Sequence, residues 1–67
     1  MAFAGKLIGH LRWRQRQVET REVRQAPSGA LYANDGYSVF GPWASTADAL
    51  AAYRVIFGDK VTYKEAP

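Results

Sequence analysis

The residues best equipped for chemistry lie in one run. Arg12-Trp13-Arg14-Gln15-Arg16 interleaves three guanidinium groups with an indole, and Arg21 and Arg24 follow closely. A guanidinium forms paired hydrogen bonds to phosphates or carboxylates, and a tryptophan among such groups stacks on a base or ring. In a strand, Arg12, Arg14 and Arg16 would point to one side at roughly 6.5–7 Å intervals, a row suited to a phosphate backbone. In a helix they would spread around the circumference, with only Arg12 and Arg16 as neighbours. The plainer reading is that the arginine stems cover apolar surface and Trp13 is buried beneath them.

A second cluster is aromatic. Tyr32, Tyr37, Phe40 and Trp43 fall close together, and Tyr and Trp supply large rigid anchors with a polar tip at binding hot spots. Burial in the core competes with this role. The candidate partner-binding residues are therefore Arg12, Trp13, Arg14, Arg16, Arg21, Arg24, Tyr32, Tyr37 and Trp43.

Catalytic and metal chemistry find little support. His10 is the sole histidine and cysteine is absent. A Ser-His-Asp triad would have to combine His10 with Ser28, Ser38 or Ser45, and nothing brings them together. Nitrogen and sulfur ligands are too few for zinc, and no stretch matches a calcium loop. Gly5-Lys6 lacks the rest of a phosphate loop, and the GxxxG spacing of Gly5 and Gly9 carries no weight outside a membrane span. At 67 residues little chain is left to wall a pocket. The expectation is a non-enzyme with no cofactor and no metal.

Charge is asymmetric. Residues 1–28 hold six basic groups against two acidic, whereas residues 29–67 hold three against four. Such a basic half marks a surface for nucleic acid or an acidic protein partner, or else a solvated face. Without cysteine there is no disulfide framework of the kind common in small secreted domains. No apolar window is long enough for a transmembrane helix. The arginines follow the apolar start of the chain, the reverse of a secretory signal. These features predict a cytoplasmic protein that does not engage membranes; an interfacial helix built on Phe3, Leu7, Ile8 and Leu11 is too short and is broken by two glycines.

The elements that must position these groups read as a single small α+β domain spanning residues 1–67. Phe3, Leu7 and Leu11 form a helical stripe, which predicts a short N-terminal helix over residues 3–15. Gly5 and Gly9 weaken it by roughly 1 kcal/mol each, and the alternation from Leu11 to Arg16 supports a strand instead. Residues 17–25 suit a strand, with β-branched Val18, Thr20 and Val23. Ala26-Pro27-Ser28-Gly29 suits a type I turn, residues 30–33 a return strand, and Asn34-Asp35-Gly36 a second turn. Residues 37–40 then complete a three-stranded meander, which Gly41-Pro42 should stop. Ser45 is an N-cap for a helix over residues 46–57, and Gly58 closes it. Residues 60–64 form a last strand. The predicted architecture is a small antiparallel sheet, the meander plus a C-terminal strand, covered by one main helix. Its expected core is Leu31, Val39, Leu50, Tyr53, Phe57 and Val61, with Phe40, Trp43 and Leu11 as further candidates.

The segment from Gly36 to Ser45, followed by Ala47-Asp48-Ala49, resembles a strand–turn–helix unit found in many small α+β proteins. In size, absence of cysteine and lack of catalytic residues, the chain is similar to accessory proteins of phages and mobile elements, including anti-CRISPR inhibitors. Those proteins share no motif, so the similarity carries no site residue onto this chain. The function that follows is a protein-binding module that blocks or modulates a larger protein or complex, nucleic-acid-handling ones included. The alternatives are direct nucleic-acid binding through the N-terminal arginines, and a homodimeric structural or assembly role that hides a bare sheet face.

Overall fold

A computed structural model describes residues 5–34 and 37–67. The elements run β1 Lys6–Arg14, β2 Val18–Gln25, β3 Leu31–Asn34, β4 Val39–Trp43, α1 Thr46–Phe57 and β5 Thr62–Glu65. Among the described residues the strands form one antiparallel sheet in the order β4-β3-β2-β1-β5. The helix connects one edge strand to the other and lies across one face, so a single layer of side chains between sheet and helix makes the core.

The N-terminal helix expected over residues 3–15 is not present, because Lys6–Arg14 is an interior strand of the sheet, between β2 and β5. Residues 3 and 4, including Phe3 of the helical stripe, lie outside the described residues. Two glycines penalise the helix, while β1 pairs along its whole length with β2 and along part of it with β5. The sheet thus has five strands rather than the four expected. Ile8 is the extra residue of a bulge between the Leu7–Arg24 and Gly9–Val23 pairs. Its carbonyl accepts hydrogen bonds from the Ala66 N–H at 2.9 Å and the Tyr63 hydroxyl at 3.1 Å. The bulge also explains the misleading stripe, since Leu7 pairs with Arg24 and Leu11 with Arg21, two β2 positions on opposite faces.

The turn at residues 26–29 is closed by the Gly29 N–H donating to the Ala26 carbonyl at 2.9 Å. Gly29 has φ 94°, a conformation that favours glycine. Asp35 and Gly36 of the second expected turn lie outside the described residues. Gly41-Pro42 does not stop the sheet. It sits inside β4 with a cis peptide bond, and the pairing continues to Leu31–Trp43 after an irregularity. Proline is tolerated there because β4 is an edge strand.

The helix begins at the Ser45 cap, whose Oγ accepts a hydrogen bond from the Asp48 N–H at 3.1 Å. Gly58 ends it at φ 99°, ψ 170° rather than in the left-handed helical region, a conformation almost reserved for glycine. Leu11, Trp13, Val23, Leu31, Ala33, Ala49, Tyr53 and Val61 are buried. Leu50, Phe57 and Trp43 pack against them while partly exposed. Val39 and Phe40, both expected in the core, are exposed. Val39 pairs with Asn34 on the uncovered face, whereas Phe40 pairs with Ala33 on the helix side but lies on the edge strand.

Candidate functional site

Strand alternation divides the Arg-Trp-Arg run between two faces. Trp13 turns inward and is 3% exposed. Its ring stacks on Phe57 at 4.4 Å with 24° between planes and tilts against Tyr53 at 5.7 Å. Arg12 and Arg14, one residue to either side, are exposed on the uncovered face. Arg16 is exposed in the β1–β2 turn, beyond the end of the strand.

The register of β1 with β2 then separates Arg21 from Arg24. Arg21 pairs with Leu11 and so belongs to the helix side. Its guanidinium lies over the Trp13 ring, 5.1 Å from the centroid, donates to the Thr20 carbonyl at 2.8 Å and faces Glu19 at 3.5 Å. Arg24 lies on the uncovered face opposite Tyr32. Its Nε donates to Glu22 at 3.0 Å and its Nη1 to the Gly5 carbonyl at 2.7 Å. Arg24 therefore holds the start of β1 in place, and Glu22 takes up its charge.

Two surfaces result. On the helix side, Arg21, Phe40, Trp43, Tyr53, Ile56 and Phe57 line an open cleft of about 210 Å³. Trp43 and Phe40 meet the Tyr53 ring edge-on at 6.0 and 6.4 Å. Ile56 is 66% exposed on the rim, and its neighbour Val55 faces solvent. On the opposite side, Arg12 lies between Thr62 of β5 and Thr20 of β2. Arg12, Arg14, Val18, Lys60 and Thr62, with Trp13, line a shallow depression of about 240 Å³. Among the described residues no carboxylate pairs with Arg12, Arg14 or Lys60.

The predicted site residues are therefore not one site. Arg21 and Trp43 line the cleft, with Trp13 beneath Arg21. Arg12 and Arg14 line the depression; Arg24 and Tyr32 sit farther along the same face. Tyr37 is almost fully exposed next to the residues not described. Sequence reading missed Ile56, Lys60 and Thr62. Ile56 looked like one more apolar helix position, and only the β1–β5 pairing brings Lys60 and Thr62 to the arginines.

Among the described residues no group of three His, Cys, Asp or Glu side chains could hold a metal ion. No described helix is long and apolar enough to cross a membrane. Tyr63, beside Gly9 on the helix side, has its phenol pKa raised above the ordinary 10.0, first by burial and then by the Glu65 carboxylate. No family model, no curated protein and no solved structure matches the chain, so these two surfaces carry the functional reading.

Proposed function

We propose that the protein is a non-enzymatic binding module that occupies a surface of a larger protein and thereby blocks or modulates it. In size and absence of cysteine the chain is similar to small phage and mobile-element inhibitors, and the reading is inhibitor-like in that sense. The observation that carries the reading is the aromatic cleft beside α1. At about 210 Å³ it is smaller than the roughly 300–1,000 Å³ of pockets that hold drug-sized ligands. It suits a single large apolar side chain offered by a partner. Ile56 and Phe40 stand exposed at its edges, and burying one such side chain contributes about 1.5–3 kcal/mol. Arg21, held over Trp13, lines the same cleft. Hot spots have this composition, an aromatic pocket with an arginine beside it. The absence of cysteine accords with a reducing, cytoplasmic setting.

The test is affinity capture from the native host with the wild-type chain, Ile56→Asp and the double variant Arg12→Ala/Arg14→Ala. Ile56 is exposed, so a charge there should leave the fold intact. The expected result is a specific protein partner retained by wild type and by the double variant but lost with Ile56→Asp. Equal capture by Ile56→Asp, or no specific partner, rejects the cleft as the docking site. Sedimentation at micromolar concentration should show a monomer. A dimer that dissociates with Ile56→Asp would assign the same cleft to self-association instead.

A further inference from the structure

We infer that the uncovered sheet face carries a second binding site, for the phosphate backbone of a nucleic-acid strand, centred on Arg12, Arg14 and Lys60. The site is independent of the aromatic cleft, because strand alternation puts Arg12 and Arg14 on the opposite side of the sheet.

Three observations converge. First, the cations are not neutralised. Arg24 on the same face is tied to Glu22 and the Gly5 carbonyl, whereas among the described residues no carboxylate forms an ion pair with Arg12, Arg14 or Lys60. Three like charges kept together without counterions disfavour the folded state, so a polyanion is their natural complement. Second, the cations share a concave surface. β5 starts at Thr62, opposite Arg12, so β1 runs on past it and Lys60 comes in beside that free stretch. The depression is shallow and open, which fits a strand lying across it and not an enclosed small molecule. Third, the spacing suits a repeating anion. Arg12 and Arg14 project to one side roughly 6.5–7 Å apart, and Arg forms paired hydrogen bonds with phosphate oxygens. Of the other lining residues, Val18 and Thr62 carry no ring and Trp13 is only 3% exposed, so no exposed ring in the depression is free for base stacking. Backbone contact without base reading is therefore the expected mode.

The magnitude follows from counterion release. Three neutralised phosphates give a slope of log affinity against log salt of about −2 for a single strand. Raising salt from 50 to 200 mM should then weaken binding by about 20-fold. The experiment is fluorescence anisotropy with labelled oligothymidylate and oligoadenylate across that range. Wild type should bind both with similar affinity and with that slope. Arg12→Ala/Arg14→Ala should reduce the magnitude of the slope by about 1.4 and bind far more weakly at low salt. Both residues are exposed, and an unchanged circular dichroism spectrum will confirm that the variant folds. Ile56→Asp should bind the oligonucleotides like wild type, which separates this site from the protein-docking cleft. No binding at low salt, a slope near zero, undiminished binding by the double variant, or loss of binding with Ile56→Asp would each overturn the assignment.

Discussion

Replacing Trp13 by Ala should unfold most of the protein in water. Trp13 is 3% exposed, stacks on Phe57, abuts Tyr53 and lies under Arg21. Truncating a buried tryptophan costs about 3–5 kcal/mol. A chain of 67 residues has a total stability of about 3–10 kcal/mol at ordinary values per residue, with the low end favoured by so small a core. The loss thus consumes most or all of the stability. Trp13→Phe is the sharper test, because it keeps a ring against Phe57. It also removes the indole Nε1, a buried donor without a hydrogen-bond partner, whose isolation costs about 1–3 kcal/mol. This gain offsets part of the lost packing, so Trp13→Phe should destabilise by only about 1–2 kcal/mol. With a urea slope near 1 kcal/mol/M, the midpoint should fall by about 1–2 M. Far-UV circular dichroism and the fluorescence of Trp43, the remaining tryptophan, report the transition. Arg12→Ala and Arg14→Ala should each stay within about 0.5 kcal/mol of wild type. A Trp13→Ala midpoint equal to wild type, or a larger loss for either arginine, would show that the faces of β1 are reversed and would refute both surface assignments.

Other consequences follow from single contacts. A Cβ on Gly9 would stand 2.6 Å from the Lys64 carbonyl and overlap the Tyr63 ring, so Gly9→Ala should force β5 away from β1. The expected cost is about 1–3 kcal/mol, with faster amide exchange across Thr62–Glu65; unchanged protection there would contradict the packing. Ser45→Ala removes the cap accepting from the Asp48 N–H and should cost about 1 kcal/mol in thermal or urea unfolding, whereas Ser45→Asp should restore most of it. Tyr63 has its pKa raised in the folded state, so folding favours the neutral phenol. Its stabilising contribution is complete below the ordinary value of 10.0 and is lost as pH rises through the folded value. Urea midpoints measured from neutral pH upward should fall more steeply above that point in wild type than in Tyr63→Phe; parallel profiles would remove Tyr63 as the cause.

The parts of the fold readable from sequence are those built by neighbours along the chain. The helix over residues 46–57 carries its own start at Ser45 and stop at Gly58, and each signal acts within a few residues. The turn at residues 26–29 is likewise set by local proline and glycine geometry. The N-terminal segment misled because two periodicities coexist in it. Phe3, Leu7 and Leu11 fit a helix, while Leu11 through Arg14 fit a strand, and no local feature chooses between them. Gly41-Pro42 misled in another way: it ends a central strand, but not an edge strand, and which strand lies at the edge is a property of the whole sheet.

The candidate site shows the same division. Sequence alone determined that the chain is basic in its first half, that it holds a lone imidazole and no thiol, and that arginine and aromatic residues are its anchors. Those are matters of residue identity and need no fold. Only the tertiary structure decided which arginine does what. Pairing of β1 with β2 set Arg21 over Trp13 at the rim of the cleft, and pairing of β1 with β5, across some fifty residues of chain, brought Lys60 and Thr62 to Arg12. Long-range pairing wins over the local helical stripe because it pairs β1 on both sides from Gly9 to Arg12 and buries Leu11 and Trp13 together, gains that no segment of this length obtains alone.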